Sequence, residues 1–89
     1  MSDTVLPELP RLAPRFRLQY EDAQQAWVLL YPEGMVQLNH SAAEILKRCD
    51  GAHSIDGIVN DLEAVFSVHG IGEQVRALLQ EGNRRGWLG

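Results

Sequence analysis

The sequence has little cysteine, little positive charge and no long apolar run. A single cysteine, Cys49, excludes an internal disulfide and suits a reducing compartment. Eight basic residues against twelve acidic ones give a net charge of −4, which disfavours nucleic acid or an anionic membrane as partner. No apolar stretch approaches the ~20 residues that span a bilayer, and the N-terminus lacks the basic and apolar regions of a secretory signal. We therefore expect a cytoplasmic protein with no nucleic-acid or membrane partner.

The chain of 89 residues is long enough for one domain with a single thin core. Pro7, Pro10 and Pro14 remove backbone donors from the first fifteen residues. We expect residues 1–15 to form an extended or disordered Pro-rich arm, and residues 16–89 to form a single domain.

Two segments of the first half predict neighbouring strands. Phe16, Leu18 and Tyr20 alternate with polar residues, as in a half-buried strand. After the polar turn EDAQQ, the run from Ala26 to Tyr31 is continuously apolar, as in a central strand buried on both faces.

A tight turn and a third strand follow. Pro32 suits the second position of a reverse turn, and Gly34 suits a left-handed position that closes it. Met35 to Leu38 then predict a strand antiparallel to the second, which gives a three-stranded meander.

Three helical patterns occupy the second half. Asn39 and Ser41 compete as N-cap of the first helix, the latter through a capping box with Glu44. Ser54 is expected to cap the second helix, which Gly70 and Gly72 would end. Each predicted helix has one apolar face. In the first helix it consists of Ala42, Ile45, Leu46 and Cys49, and in the second of Ile55, Ile58, Val59, Leu62, Val65 and Phe66. In the third helix, roughly Glu73 to Arg85, it consists of Val75, Leu78 and Leu79. Strands followed by helices predict an α+β fold, here like a winged helix-turn-helix.

No residue pattern predicts catalysis, a cofactor or a metal site. The spacing of His40, Cys49, His53 and His69 matches no zinc pattern. Cys49 lies on an apolar helix face, where free cysteine usually packs as a small hydrophobe. The helix-turn-helix order keeps a DNA-binding or transcription-regulatory module as the alternative function, although the third helix has nearly balanced charge.

The third strand predicts an open sheet edge. Met35 to Leu38 contain no proline or charge that would block pairing with another chain. An extended peptide could add there through main-chain hydrogen bonds. Alternatively, the third helix or a second copy could cover this edge, and either the edge or the arm could join two copies in a homodimer.

The segment WVLLYPEGMVQLNHSAAEILKRCDG, residues 27–51, closely resembles the signature region of the coenzyme PQQ synthesis protein D (PqqD) family. The resemblance covers roughly residues 14–88. It implies a peptide chaperone, of the recognition-element family for ribosomally made and modified peptides, that functions in pyrroloquinoline quinone (PQQ) biosynthesis. Such a protein binds the leader of the PQQ precursor peptide (PqqA) and presents it to a radical SAM enzyme (PqqE). In the family the leader pairs with the third strand and lies against the third helix. The implied peptide-binding residues are Met35, Val36, Gln37, Leu38, Val75, Arg76, Leu79, Gln80 and Asn83.

Overall fold

Three strands are followed by three helices. The computed structural model describes residues 5–89. The strands are β1 (Arg17–Glu21), β2 (Ala26–Tyr31) and β3 (Gly34–Gln37); the helices are α1 (His40–Lys47), α2 (Ile55–Phe66) and α3 (Gly72–Arg84). This order confirms the predicted α+β fold.

The sheet is an antiparallel meander in the order β1-β2-β3. Val28 and Leu29 of the middle strand are neighbours that point to opposite faces, and both are 0% exposed. The centre of β2 is therefore buried on both faces, as its apolar run predicts. Gly34 does not adopt the predicted left-handed conformation. Among the glycines that the structure describes, only Gly51, Gly70 and Gly86 have a left-handed φ. Instead, Gly34 is the first residue of β3 and lies opposite Tyr31.

Helix α1 begins after Asn39. The Asn39 side chain accepts a hydrogen bond of 2.8 Å from the backbone N–H of Ala42, while its own backbone is extended. Ser41 is already the second residue of the helix, so the capping box that would make it the N-cap is wrong. An N-cap must precede the helical backbone for its side chain to reach the free N–H groups of the first turn.

Helix α2 is capped by Ser54, as predicted. The Ser54 hydroxyl accepts a hydrogen bond of 3.0 Å from the N–H of Gly57. The helix ends at Phe66, and its C-cap Ser67 has a left-handed φ of 54°, so the helix stops before either of the expected glycines. Val65 and Phe66 are 57% and 42% exposed, so the apolar face predicted for this helix is not buried over its last two residues. The last turn of α2 extends beyond the core.

The core lies between one face of the sheet and the three helices. It includes Leu29 and Leu38 from the sheet region, Leu46 from α1, Leu62 from α2 and Leu79 from α3. Because each helix contributes a single apolar face, one continuous core can form.

The chain end after α3 packs against that helix. Gly86 is left-handed, with φ of 82°, and the Trp87 N–H donates to the carbonyl oxygen of Gly82 at 2.8 Å. A Cβ atom at Gly82 would lie 2.9 Å from the Trp87 ring. Gly82 is therefore needed for this close approach.

The arm is held by its last residues. The Ala13 N–H donates to the Trp87 carbonyl at 2.7 Å, and the Gly51 N–H donates to the Pro10 carbonyl at 3.0 Å. Leu12 forms an isolated bridge with Leu88. The predicted arm also includes residues 1–4, which lie outside the described residues, and the boundary after residue 15 stays a prediction.

Candidate functional site

The outer edge of β3 is the first part of the candidate site. In residues 5–89, β3 pairs only with β2, which leaves its other side without a strand partner. The register places Val36 opposite Leu29 and Gln37 opposite Val28.

One hydrogen bond beyond the strand end shows which amides of β3 face outward. The Leu38 N–H donates to the carbonyl oxygen of Trp27 at 2.9 Å. Hydrogen-bonded and non-hydrogen-bonded pairs alternate along an antiparallel ladder. Val36 therefore directs its amide toward β2, whereas Met35 and Gln37 direct theirs outward.

The side chains of β3 hold the strand against the core. Val36 packs on the core cluster, while Met35 and Gln37 are exposed on the other face.

Leu38 was predicted to belong to the strand and to its peptide-binding edge. It lies one residue past the end of β3, is buried in the core and uses its amide to bond Trp27.

An apolar cleft lies close to this edge, between the start of α1, the end of α2 and the start of α3. Its volume is about 330 Å³. His40 stands at its rim with its ring edge-on to Phe66, the ring centroids 5.8 Å apart. The lining residues are His40, Ser41, Glu44, Ile45, Leu62, Phe66, Val68, Ile71, Gln74 and Val75. Such a concave surface, mostly apolar with a few polar groups, is typical of a binding pocket.

Glu63 fixes the connector that forms one wall of the cleft. Its carboxylate accepts hydrogen bonds from the N–H groups of Gly70, at 2.9 Å, and Ile71, at 3.3 Å. These donors stand at the start of α3, whose N-cap Ile71 makes no side-chain cap. A negative charge there is favourable to the helix dipole. Val68 and Ile71 are thus held in place around the cleft.

The predicted α3 residues are not gathered on one binding surface. Val75 and Leu79 are 1% and 0% exposed and belong to the core. Of the five α3 residues predicted to bind peptide, only Val75 lines the cleft. A peptide on the surface therefore cannot use Leu79 as a groove wall while the core stays closed.

The other three predicted residues face the arm. Arg76 and Gln80 line a hollow with residues 5–9. Arg76 also pairs with Asp56 of α2 at 2.7 Å, and the Asn83 amide lies 3.4 Å from the carbonyl oxygen of Val5. At 100° per residue, positions 76, 80 and 83 share one flank of α3, whereas 71, 74 and 78 share the other. The cleft lies on the second flank, because Ile71 and Gln74 line it.

Sequence reasoning assigned only one of the ten lining residues, Val75, to the binding site and missed the other nine, which include Phe66 and Gln74. One signal was available for Phe66. The second helix has six large apolar side chains in twelve residues, more than one narrow stripe requires. Gln74 gives no such signal, because a polar residue on a helix is usually exposed for no special reason.

Cys49 is buried, as predicted from its helix face. Its thiol lies 3.5 Å from the carbonyl oxygen of Ile45. Burial, and to a lesser extent the charge of Asp50, raise the pKa of the thiol to about 12. A thiol with so high a pKa is a poor nucleophile at neutral pH.

The histidines are dispersed over the surface. His53 bonds Asp50 at 2.9 Å, His40 belongs to the cleft rim, and His69 lies in the connector. Among residues 5–89, no three His, Cys, Asp or Glu side chains are grouped so as to hold a metal ion.

No helix within the described part of the chain is long and apolar enough to cross a membrane.

Comparison with known proteins identifies the family. A family model described as coenzyme PQQ synthesis protein D (PqqD) matches residues 26–88. The chain belongs to the PqqD family. A protein of Methylococcus capsulatus named PqqA binding protein is 45% identical over 86 residues, which cover 97% of this chain and 88% of that protein. A protein of the same name from Azotobacter vinelandii is 48% identical over 89 residues, with 99% and 97% covered.

A solved PqqD structure has the same fold. It is the solution NMR structure of the PqqD truncation of Methylobacterium extorquens PqqCD, a functional and stand-alone recognition element for ribosomally synthesized, modified peptides. The two structures agree with a TM-score of 0.81 and 25% identity, covering 100% of this chain and 99% of the other. The predicted family and fold class are therefore confirmed.

Proposed function

We propose that this protein is a peptide chaperone of PQQ biosynthesis that binds the leader of the PQQ precursor peptide at the β3 edge and in the adjacent cleft. The relatives named PqqA binding protein and the PqqD recognition element support this function. The leader adds as a fourth strand beside β3, and one of its apolar side chains enters the cleft.

The proximity of the β3 edge to the cleft carries the proposal. His40, at the cleft rim, follows Gln37 by three positions. Three residues span at most about 10 Å, so a peptide strand that runs past Gln37 reaches the cleft within a few residues. Main-chain hydrogen bonds then supply affinity, and the pocket supplies selectivity.

Rigidity of β3 favours this binding mode. Val36 and Leu38 fix the strand to the core from one face, and the tight turn at residues 32–33 fixes its start. A strand already ordered loses little conformational entropy when the leader binds.

The protein then presents the bound leader to a radical SAM enzyme in the cytoplasm, and it performs no turnover of its own. Its buried thiol and dispersed histidines are unsuited to catalysis. For self-association we favour pairing of strands at the sheet edge that the leader leaves free over exchange of the arm, since residues 10–13 already make their hydrogen bonds within one chain.

A DNA-binding function is the alternative that the helix-turn-helix order suggested. The arginines of α3 and of its C-cap are, however, paired with carboxylates of the same chain. Arg76 bonds Asp56, while Arg84 and Arg85 both bond Glu81. A recognition helix needs such side chains free for phosphates and base edges.

Titration of the isotope-labelled protein with the precursor peptide tests the proposal. Amide shifts are expected at residues 34–38 and at the cleft residues Phe66, Val68 and Gln74. Shifts confined to other surfaces would overturn the proposed site. Shifts with duplex DNA at low salt, and none with the peptide, would establish the alternative function.

A further inference from the structure

The edge of β1 is a second open edge, on the opposite side of the sheet from β3. Within residues 5–89, β1 pairs with β2 and with no other strand. Its sequence, RLQYE, contains no proline. The peptide site at β3 makes no use of this edge.

The outward amides of β1 follow from the same ladder. Trp27 and Leu29 direct their backbone groups toward β3, so the alternate residues of β2, Val28 and Leu30, direct theirs toward β1. Val28 lies opposite Gln19, and Leu30 lies opposite Arg17. The amides of Leu18 and Tyr20 therefore point away from the sheet.

Two copies of β1 match each other in one antiparallel register. With the twofold axis at Gln19, Leu18 lies opposite Tyr20 of the partner subunit, and each such pair exchanges two main-chain hydrogen bonds. The same register places Arg17 opposite the partner's Glu21. Because this pair is not hydrogen-bonded through the main chain, its Cα atoms lie only about 4.5 Å apart.

The charges on β1 are the reason to choose a second copy as the occupant. Charged side chains on an edge strand normally oppose pairing with other chains. Here Arg17 and Glu21 lie two positions before and two positions after Gln19. Pairing of two copies therefore places each Arg17 opposite a Glu21 of the other copy, which gives two pairs of opposite charge. Arg17 is exposed and makes no ion pair with any residue from 5 to 89.

Tyr20 gives an independent indication. It is 46% exposed, although it stands next to Trp27, with 5.6 Å between ring centroids. In the matched register Leu18 of the second copy lies directly opposite Tyr20 on the same face, and cross-strand aromatic–aliphatic pairs stabilise sheets.

We propose that the protein self-associates through antiparallel pairing of β1 with β1 of a second copy, centred on Gln19. The result is a continuous six-stranded sheet with a free β3 at each outer edge. Both copies keep their peptide sites. A contact of one short strand buries less than about 1,200 Å², so the dimer belongs to the weak, concentration-dependent class.

Charge reversal tests the register. Sedimentation equilibrium is measured for the full chain, for Arg17→Glu, for Glu21→Arg, and for an equimolar mixture of the two variants. Each variant alone brings like charges together and should weaken self-association at least tenfold. The mixture should restore it, because the carboxylate introduced at position 17 of one variant then faces the guanidinium introduced at position 21 of the other. Arg17→Lys is the matched control and should associate like the parent chain.

Several outcomes overturn the proposal: a parent chain that is monomeric at every concentration, a dimer unaffected by either reversal, or a mixture that stays monomeric. Precursor-peptide shifts confined to residues 17–21 would also overturn it, since the peptide would then occupy this edge. Peptide shifts at β3 should be equal in the parent chain and both variants, which separates this test from that of the peptide site. Circular dichroism confirms that each variant is folded.

Discussion

The backbone N–H of Leu38 donates to the carbonyl oxygen of Trp27 at 2.9 Å, and this bond determines the outward amides of β3. Because inward and outward amides alternate along an antiparallel strand, the amide of Val36, two residues before Leu38, faces β2 and that of Gln37 faces outward. The two neighbouring residues should therefore respond in opposite ways to the loss of their N–H groups.

Gln37→Pro should weaken leader binding about tenfold or more while sparing the fold. It removes an outward donor worth about 1 kcal/mol and adds a ring where the peptide backbone must approach. Isothermal titration with the precursor peptide and a thermal melt measure the two effects.

Val36→Pro is the matched control. It removes a donor used within the sheet and should lower the free energy of unfolding by about 1–3 kcal/mol. Normal affinity in a folded Gln37→Pro variant would exclude pairing at this edge.

Phe66→Ala should weaken leader binding while leaving the thermal midpoint nearly unchanged. The ring is 42% exposed and lines the cleft, so its loss removes pocket surface rather than core. A loss of about 1–2 kcal/mol in binding free energy is expected for an anchor contact of this kind. Val65→Ala is the control, because Val65 is an exposed neighbour that does not line the cleft. Equal affinities of the two variants would remove the cleft from the site.

Asn39→Ala should destabilise the protein by about 0.5–2 kcal/mol, because the N-cap bond to Ala42 is lost. Ser41→Ala should change the free energy of unfolding by less than about 0.5 kcal/mol, since Ser41 lies within the helix. Urea unfolding of both variants makes the comparison. A larger effect at Ser41 would contradict the assignment of Asn39 as the N-cap.

Cys49 should resist thiol reagents at pH 8 in the folded protein and react once the chain is denatured. Burial raises the pKa of its thiol from the ordinary 9.0 to about 12, so the folded chain holds almost no thiolate. Mass spectrometry after brief alkylation, with and without denaturant, detects the difference. Rapid labelling of the native protein would show that Cys49 is accessible.

The same shift makes stability depend on pH. Because the folded pKa lies above the unfolded value, the thiol's contribution is complete below pH 9 and is lost as the pH rises from 9.0 toward 12. The parent chain should therefore lose more stability over this range than Cys49→Ala, which has no thiol to ionise. Parallel losses in the two proteins would contradict the raised pKa.

Local sequence patterns determined the elements themselves. The apolar run of β2 gave its bounds, Ala26–Tyr31, and Ser54 marked the start of α2. These features depend on neighbours in the chain: the side-chain period, a proline turn, and a hydroxyl that reaches the first free N–H groups. The resemblance of residues 27–51 to the PqqD family supplied the function that no periodicity could provide.

Only the tertiary structure decided which surfaces remain available. Periodicity places Val75 and Leu79 on one face of α3, but whether that face lines a groove or closes the core depends on what packs against it. In the same way, the arm lies beside Arg76 and Gln80, while the cleft opens on the flank of Ile71 and Gln74. Phe66 continues a helical stripe in the sequence, yet α2 extends past the core there and exposes the ring. A helical repeat determines which residues share a face, whereas the packing of distant elements determines what that face meets.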